Sequence, residues 1–183
     1  ELIESFKLEN VQKAAAVFDL KRFNWVSSQQ LAKLDENGFF EVIKPFMENE
    51  DINEDYPNYK KILLAMRTSK TNLKDIAHAT RPFFFELDGY DEKGVKKFLN
   101  ESLETLTFAL EVLSKLTEWN ETELDMALIK VRDYFNLPIP KVNQPMRIAL
   151  VGSTVSPSLG LTLELFGKEK SLERIQKAID FIS

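Results

Sequence analysis

Cysteine is absent from the 183 residues, so neither a disulfide nor a thiolate metal site can form. Histidine is nearly absent: His78 stands alone, which excludes a histidine-rich metal centre and leaves a Ser-His-Asp triad without support. No run of about 18 apolar residues occurs, so no segment reads as a membrane-spanning helix. Sustained apolar–polar alternation is missing too, so strands have no signal. There is no G-x-G-x-x-G dinucleotide loop. Gly167-Lys168 only echoes a phosphate loop, because Thr162 stands where the earlier glycine belongs and Glu169 where Ser or Thr is needed. A signal peptide is lacking: the chain opens with the acidic, amphipathic Glu-Leu-Ile-Glu and no initiator methionine, so a piece of a longer chain is expected. The lack of cysteine fits a reducing compartment, and the cytoplasm is the expectation.

What is present is charge and helical periodicity. The net charge of −5 argues mildly against nucleic acid, but the distribution is uneven. Residues 35–55 hold Asp35, Glu36, Glu41, Glu48, Glu50, Asp51, Glu54 and Asp55 against Lys44 alone. Residues 60–81 hold Lys60, Lys61, Arg67, Lys70, Lys74 and Arg81 against Asp75 alone. These islands are either solvated helix faces or a local anion-binding face on an otherwise acidic protein. Every long apolar pattern has the period of a helix, so the fold class is all-α. The architecture expected is a leading helical segment over 1–35, a first helical subdomain over 36–85 and a second over 86–183, with the boundary near Asp88-Gly89.

Local signals set the elements. Residues 1–17 read as a helix, and Asp19 as a possible cap for the next. Phe39–Met47 reads as a helix that Pro45 should kink or shorten. Tyr59–Met66 reads as another, and Thr71 or Asn72 caps a helix that Pro82 should end. Phe83-Phe84-Phe85 cannot share one helical face, and reads as a plug between subdomains. Val95–Leu99 and Ser102–Leu116 follow as helices. Asn120 with Glu123 starts another, with Trp119 placed like a staple residue, and Leu137-Pro138-Ile139-Pro140 reads as an extended break. The end of the chain reads as an apolar helical turn Met146–Val151, a hydroxyl-rich loop 152–157, a helix Leu159–Phe166 closed by Gly167, and a helix Ser171–Ile182.

Catalytic constellations fail one by one, whereas binding chemistry is better supported. Arg147 lies inside an apolar segment, where a cation must reach solvent or meet a fixed anion. Ser153-Thr154-Val155-Ser156-Pro157 offers backbone and hydroxyl hydrogen bonds at a rigid corner beside that planar fork. Trp25 is either a core or half-buried aromatic or a flat ring beside Lys21 and Arg22 that stacks on a nucleotide. His78 reads as a surface histidine rather than a base, since no nucleophile is nearby.

Several of these stretches carry a resemblance. Pro145-Met146-Arg147-Ile148-Ala149-Leu150-Val151-Gly152, then Ser156-Pro157, then Leu165-Phe166-Gly167-Lys168-Glu169-Lys170 resembles the C-terminal end of bacterial glutamyl-tRNA synthetases. Phe18-Asp19-Leu20-Lys21-Arg22-Phe23-Asn24-Trp25, the segment Met66–Asp75 and Glu118–Glu121 extend the resemblance over nearly the whole chain. It implies a helical cage that reads the anticodon loop of tRNA-Glu, cut from a parent ligase that uses ATP and magnesium, with no cofactor or metal in this part. No DNA and no membrane partner is implied, and a monomer is expected. By resemblance, Arg147 contacts an anticodon base, and Ser156, Pro157 and Leu159 pack around the anticodon. Trp25 and Arg22 face the tRNA stem, and Arg67, Ser69 and Lys70 form a basic corner at the last anticodon base. Glutamate-specific members resemble R-x-R-x-x-T-L here, whereas this chain has Arg67-Thr68-Ser69-Lys70-Thr71-Asn72-Leu73. The serine implies that tRNA-Gln is also accepted. A helical protein–protein docking module is the rival reading, and a stand-alone hydrolase or transferase is disfavoured by the missing constellations.

Overall fold

The protein is described by a computed structural model over Lys7 and residues 17–183. The helix expected over 1–17 lies outside those residues, apart from Lys7 and Val17. Among the described residues every regular element is helical, as the apolar periodicity requires. None of these helices is long and apolar enough to cross a membrane.

The first helix, α1 (Leu20–Lys33), starts where the Asp19 carboxylate accepts the Lys21 and Arg22 amides at 2.9 and 3.1 Å. It buries only Leu31. Helix α2 (Glu36–Glu48) is capped by Asp35 and buries Phe39, Ile43 and Met47, a stripe spaced by four. Pro45 neither ends nor shortens it, because Pro45 lies on the exposed face, where the carbonyl it leaves free is open to solvent. Helix α3 (Tyr59–Met66) buries Tyr59, Ile62, Leu63 and Met66. Helix α4 (Leu73–Phe84) is capped by Asn72, which accepts the Asp75 amide at 2.9 Å. It runs through Pro82, which removes one backbone hydrogen bond next to the terminus and leaves the last turn in place. Phe83 is buried and stacks on Phe166 at 4.7 Å, while Phe84 and Phe85 meet Tyr56 edge-on.

A short helix α5 (Glu92–Gly94) passes into a π-helical turn, Val95–Leu99. Helices α6 (Leu103–Ser114) and α7 (Glu121–Phe135) follow, and Asn120 caps α7 by accepting the Glu123 amide at 3.0 Å. Trp119 ties to a later helix, donating Nε1–H to the Leu163 carbonyl at 2.9 Å. Helix α8 (Ile139–Val151) begins inside the expected break, since Pro140 sits in its first turn, where a missing N–H costs nothing. Helices α9 (Leu159–Phe166) and α10 (Lys168–Ile182) complete the chain, α10 starting ahead of Ser171.

Helices α2, α3 and α4 pack on one another, and the π turn with α6–α10 forms a second group. One hydrophobic cluster runs through both. The groups meet where α4 lies on α8, where Phe83 stacks on Phe166, and where Lys61 pairs with Glu164.

Candidate functional site

Helix α8 is apolar nearly all round at its C-terminal end: Met146, Ile148, Ala149, Leu150 and Val151 are buried. Arg147 breaks this run and is half-buried. Its Nε donates to the Ser156 hydroxyl at 3.2 Å and its Nη2 to the Pro157 carbonyl at 3.3 Å. Among the described residues no carboxylate pairs with it. Burial pushes its pKa below the ordinary arginine value, yet a guanidinium keeps its charge. The result is a cation in a half-dry place, met only by neutral oxygens. One turn earlier on α8, the Gln144 side-chain oxygen is buried with no hydrogen-bond partner.

The loop beside Arg147 is held by its backbone. Gly152 ends α8 at φ 72°. A side chain there would put Cβ 2.8 Å from the Gly89 carbonyl oxygen, so the left-handed turn and the close approach both require glycine. The Asp91 amide donates to the Gly152 carbonyl at 2.8 Å. Thr162 Oγ1 lies 3.1 Å from the Ser156 hydroxyl and donates to the Ser158 carbonyl at 2.9 Å, which fixes Ser156 from the α9 side. Ser158 caps α9, and its hydroxyl meets Glu121 Oε1 at 2.6 Å. Pro157 is partly exposed, whereas Leu159 is 3% exposed and belongs to the core.

The remaining candidates lie elsewhere. Arg67 Nη2 donates to the carbonyls of Leu31 and Leu34, and its guanidinium lies 5.0 Å from the Phe39 ring centre. It therefore caps the end of α1 and holds that helix to α3. Ser69 turns inward, its hydroxyl donating to the Met66 carbonyl at 2.6 Å. Lys70 is partly exposed. Trp25 is 62% exposed and shares a face of α1 with exposed Arg22, so the core-aromatic alternative is excluded.

These residues form two regions. Arg67, Ser69 and Lys70 lie at the turn before α4, where Arg67 reaches the C-terminal end of α1, and Arg22 and Trp25 lie in the N-terminal half of α1. Arg147, Ser156 and Pro157 gather at the end of α8. A cavity of about 210 Å³ beside the second region is lined by Arg81 and Pro82, from the far end of α4, together with Gly152 and Ser153. The 12 residues of α4 thus span the interval, about 18 Å at 1.5 Å per residue. The basic island is not one surface. Lys61 pairs with Glu164, Arg67 holds carbonyls, and Arg81 pairs with Glu50 at 3.0 Å. His78 is exposed and approaches the same Glu50 at 3.4 Å. Among the described residues no cluster of His, Asp and Glu is arranged to hold a metal ion.

Sequence reasoning missed two residues. Gln144 gave no signal beyond its place one turn before Arg147. Arg174 looks like one more charge on an amphipathic helix, yet it is 2% exposed.

Comparison with known proteins adds the following. The family model described as "Anticodon binding domain" matches residues 38–179. Glutamate–tRNA ligase 2 of Thermoanaerobacter pseudethanolicus is 33% identical over 186 residues, covering 98% of this chain and 38% of its own length. Glutamate–tRNA ligase of Thermodesulfovibrio yellowstonii is 31% identical, covering 98% of this chain and 40% of its own. The chain therefore spans well under half the length of these curated relatives. The crystal structure of a glutamate tRNA ligase from Elizabethkingia meningosepticum in complex with its amino acid superposes with a TM-score of 0.78 at 26% identity, over 100% of this chain and 36% of that one.

Proposed function

Because the chain belongs to the anticodon-binding-domain family, we propose that it reads the anticodon loop of tRNA-Glu for a glutamate–tRNA ligase. The observation that carries this is Arg147, half-buried, unpaired by any described carboxylate and aimed at the Ser156-Pro157 corner. Unpaired RNA bases are recognised along their edges and by stacking, which asks for fixed donors, fixed acceptors and flat rings. Arg147, Ser156 and Pro157 supply the first kind at the end of α8. Trp25 and Arg22 supply an exposed ring and cation on α1.

The domain assignment follows from this reading: 1–35 meets the stem, 36–85 reads one side of the anticodon loop, and 86–183 reads the other. Glutamate activation with ATP and magnesium belongs to the parent ligase. On this reading the chain by itself is expected to be inactive. A cytoplasmic monomer is the working state. Ser69 leaves the basic corner without a second arginine, and its hydroxyl is turned to the Met66 carbonyl. Arg67 is held on the Leu31 and Leu34 carbonyls, and Lys70 offers a point charge with no bidentate fork, so the corner does not favour one last anticodon base over another and tRNA-Gln is a second substrate.

The docking-module alternative draws on α1, where Phe18, Leu20, Phe23 and Val26 are exposed beside Trp25. The two readings separate in one titration. Anticodon stem-loops of tRNA-Glu, tRNA-Gln and an unrelated tRNA are bound to the chain across a salt series. Similar, salt-sensitive affinity for the first two, with weaker binding of the third, is expected. Ser69→Arg should then favour the Glu loop over the Gln loop by about tenfold or more, the scale of one good bidentate contact. Equal binding of all three loops, or none at low salt, would sink the reading in favour of docking.

A further inference from the structure

The two candidate reading regions sit on different helix groups, and a buried arginine joins the ends of the helices that carry them. Arg174 Nη1 donates to the Leu150 carbonyl, in the last turn of α8. Its Nη2 donates to the Phe85 carbonyl, just past the last turn of α4, at 2.7 Å. Each helix C-terminus carries roughly half a negative charge, so two of them converging offset about one positive charge. That accounts for a cation buried among carbonyls instead of carboxylates. The guanidinium also lies 4.6 Å from the centre of the Phe166 ring, which stacks on Phe83 of α4 at 4.7 Å. A planar fork can serve two carbonyls on two helices at once, and an ammonium on a flexible stem does this poorly.

Arg147 lies one turn before Leu150 on α8, while Ser69 and Lys70 lead into α4. Fixing the ends of both helices fixes the reach between the two regions. We infer that Arg174 is a positioning residue that couples them, so that one RNA loop must satisfy both together. This rests on the anticodon reading above. With the tie intact, docking at one region places the loop for the other. With the tie loosened, the second contact gains less from the first.

The test is a double-mutant cycle on the full chain, read as the Kd for the tRNA-Glu anticodon stem-loop. Arg147→Ala and Lys70→Ala are made singly and together, in the wild-type background and in Arg174→Lys. In the wild-type background the two losses should be non-additive by fivefold or more, the lower range of measured site-to-site couplings. In Arg174→Lys they should combine within about twofold, as independent sites do. Undiminished coupling in Arg174→Lys overturns the inference, even if its Tm falls, because a merely structural role lowers Tm alone. Additive losses in the wild-type background overturn it as well. If Arg174→Lys does not fold by circular dichroism, Phe166→Leu loosens the same junction with the cation still paired, and the same outcomes apply. Absence of stem-loop binding by the unmutated chain refutes the anticodon reading itself, and is seen before any variant is made.

Discussion

Replacing Gly160 by alanine sets two opposed effects against each other. Glycine in a helix is less favourable than alanine by about 1 kcal/mol, and less than that in the first turn, where Gly160 sits. Space decides the other way. A Cβ on Gly160 would lie 2.4 Å from Asp125 Oδ1, 2.9 Å from Asp125 Cγ and 2.9 Å from the Glu121 carbonyl oxygen. Asp125 is exposed and can swing aside. The Glu121 carbonyl belongs to the first turn of α7 and cannot. Helix α9 must back away from α7 by several tenths of an ångström, against a packed interface that includes Leu163 and Leu124. Overpacking of this kind costs about 1–3 kcal/mol, so the net effect is destabilisation by about 1–2 kcal/mol. For a chain of this size that lowers the Tm by about 2–8 °C, read by calorimetry or circular dichroism. The same shift stretches the Ser158–Glu121 contact, now 2.6 Å, at the edge of the Arg147 loop. An unchanged or raised Tm would refute the reasoning.

Two further outcomes are expected. Glu164 accepts from Lys61 and from the Glu121 amide, and the Lys61 hydrogen bond leads in holding its carboxyl below the usual glutamate range. A depressed folded value gives stability that is present above the unfolded value of about 4.3 and lost as pH falls through the folded one. Glu164→Gln should therefore be less stable than wild type at pH 7, and the gap should close in acid; a gap independent of pH would contradict this. Arg67→Met removes the cation that caps α1 at Leu31 and Leu34. Amide exchange should quicken across α1 and stay unchanged in α6–α10, and equal protection of α1 in both proteins would show that Arg67 does not hold it.

The fold was legible where its causes are local. Asp19, Asn72 and Asn120 each accept an amide two or three residues on, and such caps are written in a few letters. Prolines interrupt these helices less than their chemistry alone implies. Pro45, Pro82 and Pro140 each cost at most one hydrogen bond, and each stands on a solvent face or near a helix end, where that bond matters least. Arg147 was legible as a lone charge in an apolar run, which must reach solvent or find partners, and here it meets the Ser156 hydroxyl and the Pro157 carbonyl nearby in the chain. Arg174 was not: it follows Glu173 in a charged helix, and the carbonyls that neutralise it lie 24 and 89 positions away in the chain. Arg67 was legible as a cation but not as the cap of α1, because Leu31 and Leu34 are long-range partners too.

The turn at Gly152 has a consequence for how this surface can change. Its position is set by main-chain contacts, to the Gly89 carbonyl on one side and the Asp91 amide on the other. The hydrogen bonds of Ser153 and Val155 stay within the loop itself. Thr154 and Val155 can therefore vary without disturbing the core, whereas Ser153, whose hydroxyl bonds the Val155 amide and carbonyl, holds the path of the chain past Arg147. On the anticodon reading proposed above, side chains at Thr154 and Val155 are the ones that would retune a preference for RNA sequence there, with Ser153 kept to hold the loop backbone.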